Sequence, residues 1–418
     1  MEPQERKRDE MALNGVLLRT KKNVASSNVE LLIDYFPSDN SIIENVTFYS
    51  YKDLRTATKD FNLANKIGEG GFGSVYKGRL KGGQVVAVKV LSAESRQGVR
   101  EFLTELRVIS DVEHENLVKL HGCCVEENNR ILVYGYLENN SLAHTLLDRG
   151  HDNIQFSWKT RSKISIGVAR GLEYLHEKHI LHRDIKASNI LLDRDLTPKI
   201  SDFGLAKLLP SNVTHVSTRV AGTIGYLAPE YAIRGQVTRK SDIYSFGVLL
   251  LEIVSGRCNT DTRLPVEEQF LLEKNDVLAN SFDMPGVILL QTWELFERRE
   301  LVIMVDPALN GDYDAEEACR FLKIALLCTQ DSPKLRPSMS TIVKMLMGKE
   351  EVVDEKVTKP GLISDFMDLK VRPPKGAPGM NMMSYNTSAG TENNSGSSSA
   401  NNTSYGFATF TALSDRSD

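Results

Sequence analysis

From about Phe61 to Gly348, apolar runs alternate with sparse turns in the manner of a packed unit that mixes strands and helices. Its first third reads as strands. Ser74-Val75-Tyr76-Lys77-Gly78-Arg79-Leu80 is rich in β-formers, Lys81-Gly82-Gly83 supplies a turn, and Gln84-Val85-Val86-Ala87-Val88-Lys89-Val90 predicts a second strand. Val99 to Ile109 carries apolar and charged positions at helical spacing and predicts an amphipathic helix. Residues 1–60 are mixed and polar, closing on a short helical pattern through Ala57, and predict a lead-in that packs on the domain. Beyond about Glu350 the pattern collapses. Between Ser384 and Ser404, 17 of 21 residues are Ser, Asn, Thr or Gly, too little apolar surface to offset chain entropy, so 350–418 predicts a disordered tail.

Composition narrows the class. The 418 residues are 41% hydrophobic and 25% charged with a formal charge of -4, which excludes fibrous chains and offers no broad basic field for nucleic acid. Cys123, Cys124, Cys258, Cys319 and Cys328 are odd in number and sit in apolar runs without metal or disulfide spacing, which predicts a reduced, cytoplasmic chain. No leader is expected: Met1 to Asn23 carries six basic and four acidic residues without an apolar core. The longest apolar runs, such as Val248 to Leu251, are far short of the roughly 18 residues that a membrane span needs. Glu2 removes a myristoylation signal, so membrane contact would come through partners.

Ile67-Gly68-Glu69-Gly70-Gly71-Phe72-Gly73-Ser74-Val75 contains Gly-x-Gly-x-x-Gly, which dinucleotide-binding folds also use. Those folds need a helix directly after the glycines to face the pyrophosphate. A strand follows here, so the glycines lie on a hairpin whose backbone N–H groups can press onto phosphates, with Lys89 in the next strand adding a cation. A Gly-rich surface turn beside a buried-stem Lys is the bland alternative.

Downstream come Ile180-Leu181-His182-Arg183-Asp184-Ile185-Lys186-Ala187-Ser188-Asn189, then Ser201-Asp202-Phe203-Gly204, then Ala228-Pro229-Glu230. In this order and at these intervals the set resembles the eukaryotic protein kinases over residues 61 to 349. The resemblance implies an α+β, bilobal protein kinase fold, with a small antiparallel β-sheet lobe carrying one helix and a large, mainly helical lobe. Phosphoryl transfer is mostly positioning and charge neutralisation. The resemblance implies ATP and Mg²⁺ as cofactors, with Asp202 and Asn189 as metal ligands. Asp184 would orient the substrate hydroxyl, Lys186 offset charge on the γ-phosphate, and Lys89 hold the α- and β-phosphates. Glu105 is chosen over Glu101 as the partner of Lys89, leaving Glu101 solvated. Ile67, Gly68, Gly70 and Gly73 would cover the nucleotide, and Val75, Ala87 and Leu191 would sandwich the adenine. Tyr134 is the expected gatekeeper, with Gly135 and Leu137 presenting backbone groups. Phe203, His182, Ile109 and Leu120 would stack as a regulatory spine.

Arg183 implies pairing with a phosphorylated activation loop, for which Thr218 leads the candidates, followed by Ser217 and Thr214, with Thr223 as a structural hydroxyl near Asp184. Lys186 and Gly222-Thr223 are similar to serine/threonine kinases. Lys240-Ser241-Asp242-Ile243-Tyr244-Ser245-Phe246-Gly247 and Leu335-Arg336-Pro337 are similar to the plant receptor-like kinase group related to Pelle. Within it the chain resembles receptor-like cytoplasmic kinases of the cold-responsive group. That implies protein substrates, an upstream membrane receptor kinase and peripheral contact with the plasma membrane through partners. Asp242 would anchor the catalytic loop, and Arg336 would pair with Glu230.

The chain departs from that pattern at Lys274 to Gln291, an 18-residue insertion between Leu271-Leu272-Glu273 and Thr292-Trp293-Glu294. It reads either as a retained or alternative transcript segment exposing a sticky patch at Val287-Ile288-Leu289-Leu290, or as a docking loop. The other function class is an ATP-binding pseudokinase-like scaffold or a splice variant with impaired docking. The presence of Lys89, Glu105, Asp184, Asn189 and Asp202 favours the active enzyme.

Overall fold

The computed structural model describes residues 46–362, apart from 71–72, 92–95, 149–153, 155, 211 and 260–287. The first lobe is a six-stranded sheet of β1 (Thr47–Phe48), β2 (Lys66–Gly70), β3 (Gly73–Arg79), β4 (Val85–Leu91), β5 (Leu120–Glu126) and β6 (Asn129–Gly135), in the order β1-β5-β6-β4-β3-β2. Pairing is antiparallel except where β1 adds to β5 in parallel. The lobe thus exceeds the expected antiparallel sheet with one helix. Residues from the lead-in supply β1 and helix α1 (Tyr51–Ala57), capped by Ser50 accepting from the Asp53 N–H. Leu54 of α1 is fully buried with Val86, Val88, Ile131 and Val133, because one face of the sheet needs an apolar cover.

Helix α2 (Arg96–Ile109) covers the other face, burying Phe102, Leu106 and Ile109. The second lobe is built on α3 (Trp158–Glu177), then β7 (Ile180–Leu181), β8 (Ile190–Leu192), β9 (Pro198–Ile200), β10 (Lys207–Leu208) and β11 (Val216–Ser217). It continues through α4 (Pro229–Arg234), β12 (Gln236–Val237), α5 (Arg239–Ser255), α6 (Ile288–Glu297), α7 (Ala315–Thr329) and α8 (Met339–Leu346). Helix α5 starts in a capping box between Thr238 and Ser241 and is buried from Ser241 to Ser255, as expected of a helix apolar all round.

Two boundaries differ from the sequence reading. The described chain runs past Glu350, where Val357 and Leu362 are buried and Gln330 bridges to Pro360, and the rest of the expected tail, 363–418, lies outside the described residues. Of the insertion, 274–287 lie outside the described residues, but Ile288 to Gln291 form the first turn of α6. There Ile288 and Leu289 are buried and Leu290 packs on the core, so these three expose no sticky patch. The chain spends their apolar surface on the junction with α5 and α7.

Candidate active site

The hairpin of β2 and β3 brings Gly68 beside Val75 and Gly70 beside Gly73. Gly73 adopts φ 152°, and a Cβ there would lie 1.9 Å from the Val90 carbonyl oxygen, so only glycine lets the hairpin lie this close to β4. Ile67 is exposed beside it. Val75, Ala87 and Leu191, expected to sandwich the adenine, and Leu137 are half-buried. In the β4–β6 register Ala87 faces Tyr134 and Val86 faces Gly135. The Gly135 N–H is committed to the Lys119 carbonyl at 3.1 Å, so it is not available to a ligand.

Lys89 sits between Val75 and Leu132 in the sheet, and its Nζ lies 2.8 Å from Glu105 Oε2 and 2.8 Å from Asp202 Oδ1. Burial works against an ammonium here, but the two carboxylates, Asp202 foremost, outweigh it and hold Lys89 well above its ordinary value. Burial would likewise raise Asp202, yet Lys89 brings it below the usual carboxylate range. Asp202 has φ 65° and Arg183 φ 72°, left-handed values that cost energy in non-glycine residues and cluster at working sites.

The Tyr134 hydroxyl donates to Glu105 Oε1 at 2.5 Å, so both carboxylate oxygens of Glu105 are held. Burial, then the Glu105 charge, lifts that phenol far above its usual value. The sequence expects Tyr134 as the gatekeeper but does not mark this bond. The signal was available: a phenol in a buried strand needs a partner for its hydroxyl.

On the facing lobe, the catalytic loop is pinned from beneath by buried Asp242, whose Oδ2 accepts from the His182 N–H and whose Oδ1 accepts from the Arg183 N–H, each at 2.8 Å. Burial opposes this ionised carboxylate, and bonds from His176 and the backbone overcome it. Asp184 Oδ1 accepts from the Thr223 hydroxyl at 2.7 Å, and its Oδ2 lies 3.0 Å from both Lys186 Nζ and Asn189 Nδ2. Lys186 also donates to Thr223 Oγ1 at 2.8 Å. Asn189 spends its amide nitrogen on Asp184, which leaves its Oδ1 as a hard oxygen ligand. The Asn189 carbonyl accepts from Ser201 N and Oγ at 2.9 Å, tying it beside Asp202. One carboxylate and one amide oxygen suit Mg²⁺, which takes its remaining ligands from phosphate and water. The His182 and Phe203 rings meet edge to face at 5.0 Å, Ile109 is buried and Leu120 packs on the same core.

The activation segment is seated. Thr218 N–H donates to the Gly235 carbonyl at 2.9 Å, and Ser217 and Thr214 are exposed. Arg183 donates to the Tyr231 hydroxyl and to the carbonyls of Leu205 and Arg219. Tyr231, fully buried in α4, was missed by sequence reasoning, as was Tyr226, whose hydroxyl lies 2.6 and 2.7 Å from the two oxygens of Glu252.

Glu101 corrects the sequence reading. It is not solvated but 4% exposed, bonded to Gln97 Nε2 at 3.1 Å and packed near Gly204. Burial pushes its carboxyl up to about 7, the Gln97 bond offsetting part of this. Between the unfolded value of 4.5 and about 7, the folded state keeps a proton that the unfolded chain has shed, so stability falls as pH rises through that window. Glu101→Gln is expected to flatten this slope in urea titrations at a series of pH values. Part of the slope should persist, because burial also lifts Glu252 to about 7.

A two-lobed fold, with a lysine–glutamate pair under a glycine hairpin and an aspartate–lysine–asparagine loop opposite, defines a protein kinase. The family described as protein tyrosine and serine/threonine kinase matches residues 61–346, and the chain belongs to it. Cold-responsive protein kinase 1 of Arabidopsis thaliana is 66% identical over 337 residues, covering 79% of this chain and 82% of that protein. Two probable LRR receptor-like serine/threonine-protein kinases of Arabidopsis thaliana are each 52% identical over 321 residues, covering 76% of this chain and only 29% of their own length. These relatives place the chain among the serine/threonine kinases of the plant receptor-like group. No helix among the described residues is long and apolar enough to cross a membrane.

Proposed function

We propose that the chain transfers the γ-phosphoryl group of Mg²⁺-bound ATP to serine and threonine hydroxyls of protein substrates. The observation that carries this reading is Lys89 Nζ at 2.8 Å from both Glu105 and Asp202, across the cleft from an Asp184 already fixed by Lys186, Asn189 and Thr223. Lys89 would hold the α- and β-phosphates, and Ile67 with the glycines 68, 70 and 73 would close over them. Asp202 and Asn189 would hold Mg²⁺, which would supply neutralisation of the phosphate charge. Asp184 would accept the substrate hydroxyl's hydrogen bond and orient the oxygen in line, while Lys186 meets charge on the transferring group. The Lys186–Thr223 bond at 2.8 Å supports serine/threonine specificity, because it builds the floor on which a short side chain must reach Asp184.

The same reading places the switch in the activation segment. Phosphate at Thr218, or at Ser217, would exchange the neutral partners of Arg183 for a bidentate anion. An upstream membrane receptor kinase would supply it, with the chain in the cytoplasm and drawn to the plasma membrane through that partner. Phosphosite mapping after incubation with ATP and Mg²⁺ tests the switch. Phosphate is expected on Thr218 or Ser217, with transfer to a protein substrate falling about tenfold or more when both are alanine, in line with the 1–3 charge-assisted bonds a loop phosphate makes. Unchanged transfer in the double variant would refute it.

A further inference from the structure

The chain after α8 does not leave the large lobe. After a 3-10 turn at Asp354–Lys356 it runs back over α5 and α7, beyond the end of the family match at residue 346. The Gly361 N–H donates to the Thr329 carbonyl at 3.0 Å and the Asp331 N–H to the Lys359 carbonyl at 3.3 Å. Tyr244 Oη donates to the Gly361 carbonyl at 2.8 Å. Buried Gln330 accepts from both Thr358 N–H and Thr358 Oγ1 through its Oε1, at 3.2 and 2.8 Å. Lys323 pairs with Asp354 at 2.7 Å where the segment begins.

Gln330 and Tyr244 lead through Arg336 to α4, and Gly361 meets α4 itself. The Gln330 carbonyl accepts from Arg336 Nε at 2.8 Å, and Arg336 forks onto Glu230 of α4 at 2.7 and 2.9 Å. The Tyr244 ring, which holds Gly361, lies 5.1 Å from the Arg336 guanidinium. Gly361 also lies directly against α4, for a Cβ on it would stand 3.3 Å from Pro229 Cγ. Helix α4 in turn carries Tyr231, whose hydroxyl accepts from Arg183 of the catalytic loop and from the Ala221 N–H.

We propose that residues 357–362 are a positioning strap that fixes Arg336 and α4 and so sets the peptide-binding shelf at 222–230. The inference rests on reading that segment as the shelf. The strap touches no nucleotide-binding residue named above, so its release should weaken peptide engagement and leave ATP alone. Gln330, Arg336 and Tyr244 couple the two ends through direct contacts.

Three substitutions in the full chain loosen the strap differently. Thr358→Val removes one donor to Gln330, and Tyr244→Phe removes the donor to Gly361. Gly361→Val places a Cβ 2.8 Å from Asp331 Cα and forces the segment outward. Amide exchange at Asp331 and Gly361 reports release, and steady-state kinetics with a serine peptide report function. Exchange is expected to rise in the series, with KM for the peptide up about fivefold per lost bond and KM for ATP unchanged. Faster exchange with an unchanged peptide KM would overturn the proposal, and so would unaltered exchange in all three variants. Failure of the kinase reading would show in the unsubstituted chain of the same assay, and failure of the strap only in the variants.

Discussion

Asp184→Asn is expected to reduce the rate of phosphoryl transfer by about 10²–10⁴-fold, the usual contribution of a positioned general base, with KM for ATP nearly unchanged. Asparagine keeps the shape. It can still accept from Thr223 on one side, but its amide nitrogen would face Lys186 and the Asn189 amide, two donors against a donor. The variant therefore loses the charge that orients the attacking hydroxyl and disturbs Asn189, while Lys89, Glu105 and the glycine hairpin stay in place. Single-turnover kinetics with a serine peptide would separate the chemical step from binding. A variant within threefold of the unsubstituted rate would remove Asp184 from the role given to it.

Arg336→Ala should strongly destabilise the large lobe. Its guanidinium is 1% exposed and donates bidentately to Glu230, to the Gln330 carbonyl at 2.8 Å and to the Lys240 carbonyl at 3.0 Å. Lys240 returns a hydrogen bond to the Arg336 carbonyl, so the two segments hold each other. Removing one partner of a buried ion pair leaves the other charge uncompensated, at a cost of about 3–5 kcal/mol. At roughly 2–4 °C per kcal/mol for a domain of this size, the melting temperature should fall by roughly 6–20 °C. Arg336→Lys keeps the charge and loses the fork, and should fall between the two. Thermal unfolding of the three chains at one pH and salt concentration checks the order.

The residues proposed to carry the chemistry were the easiest to single out. Lys89, Asp184, Asn189 and Asp202 are polar residues in short segments of narrow spacing, because phosphate and metal chemistry tolerates few substitutes. Partners across the fold were harder. Choosing Glu105 and leaving Glu101 in solvent overlooked that the two stand four residues apart and so share a helix face. If one is buried on that face, the other is close to burial, and α2 packs against both the sheet and the Asp202–Gly204 segment. The strap escaped notice for a different reason. Val357, Pro360 and Leu362 are isolated apolar residues in a polar stretch, and only tertiary contacts with Thr329, Gln330 and Tyr244 give them a place. Strand β1, two residues long, is below what any periodicity can mark. The apolar run at 288–290 was visible, but its destination in the core depends on where α5 and α7 stand.

The most direct test of the account is transfer of γ-phosphate from ATP and Mg²⁺ to the chain itself and to a generic basic protein, with Lys89→Met and Asp202→Asn measured alongside. Transfer to serine and threonine by the unsubstituted chain, lost in both variants, is the predicted result. Tight ATP binding without transfer in the unsubstituted chain, or transfer that survives in both variants, would contradict it.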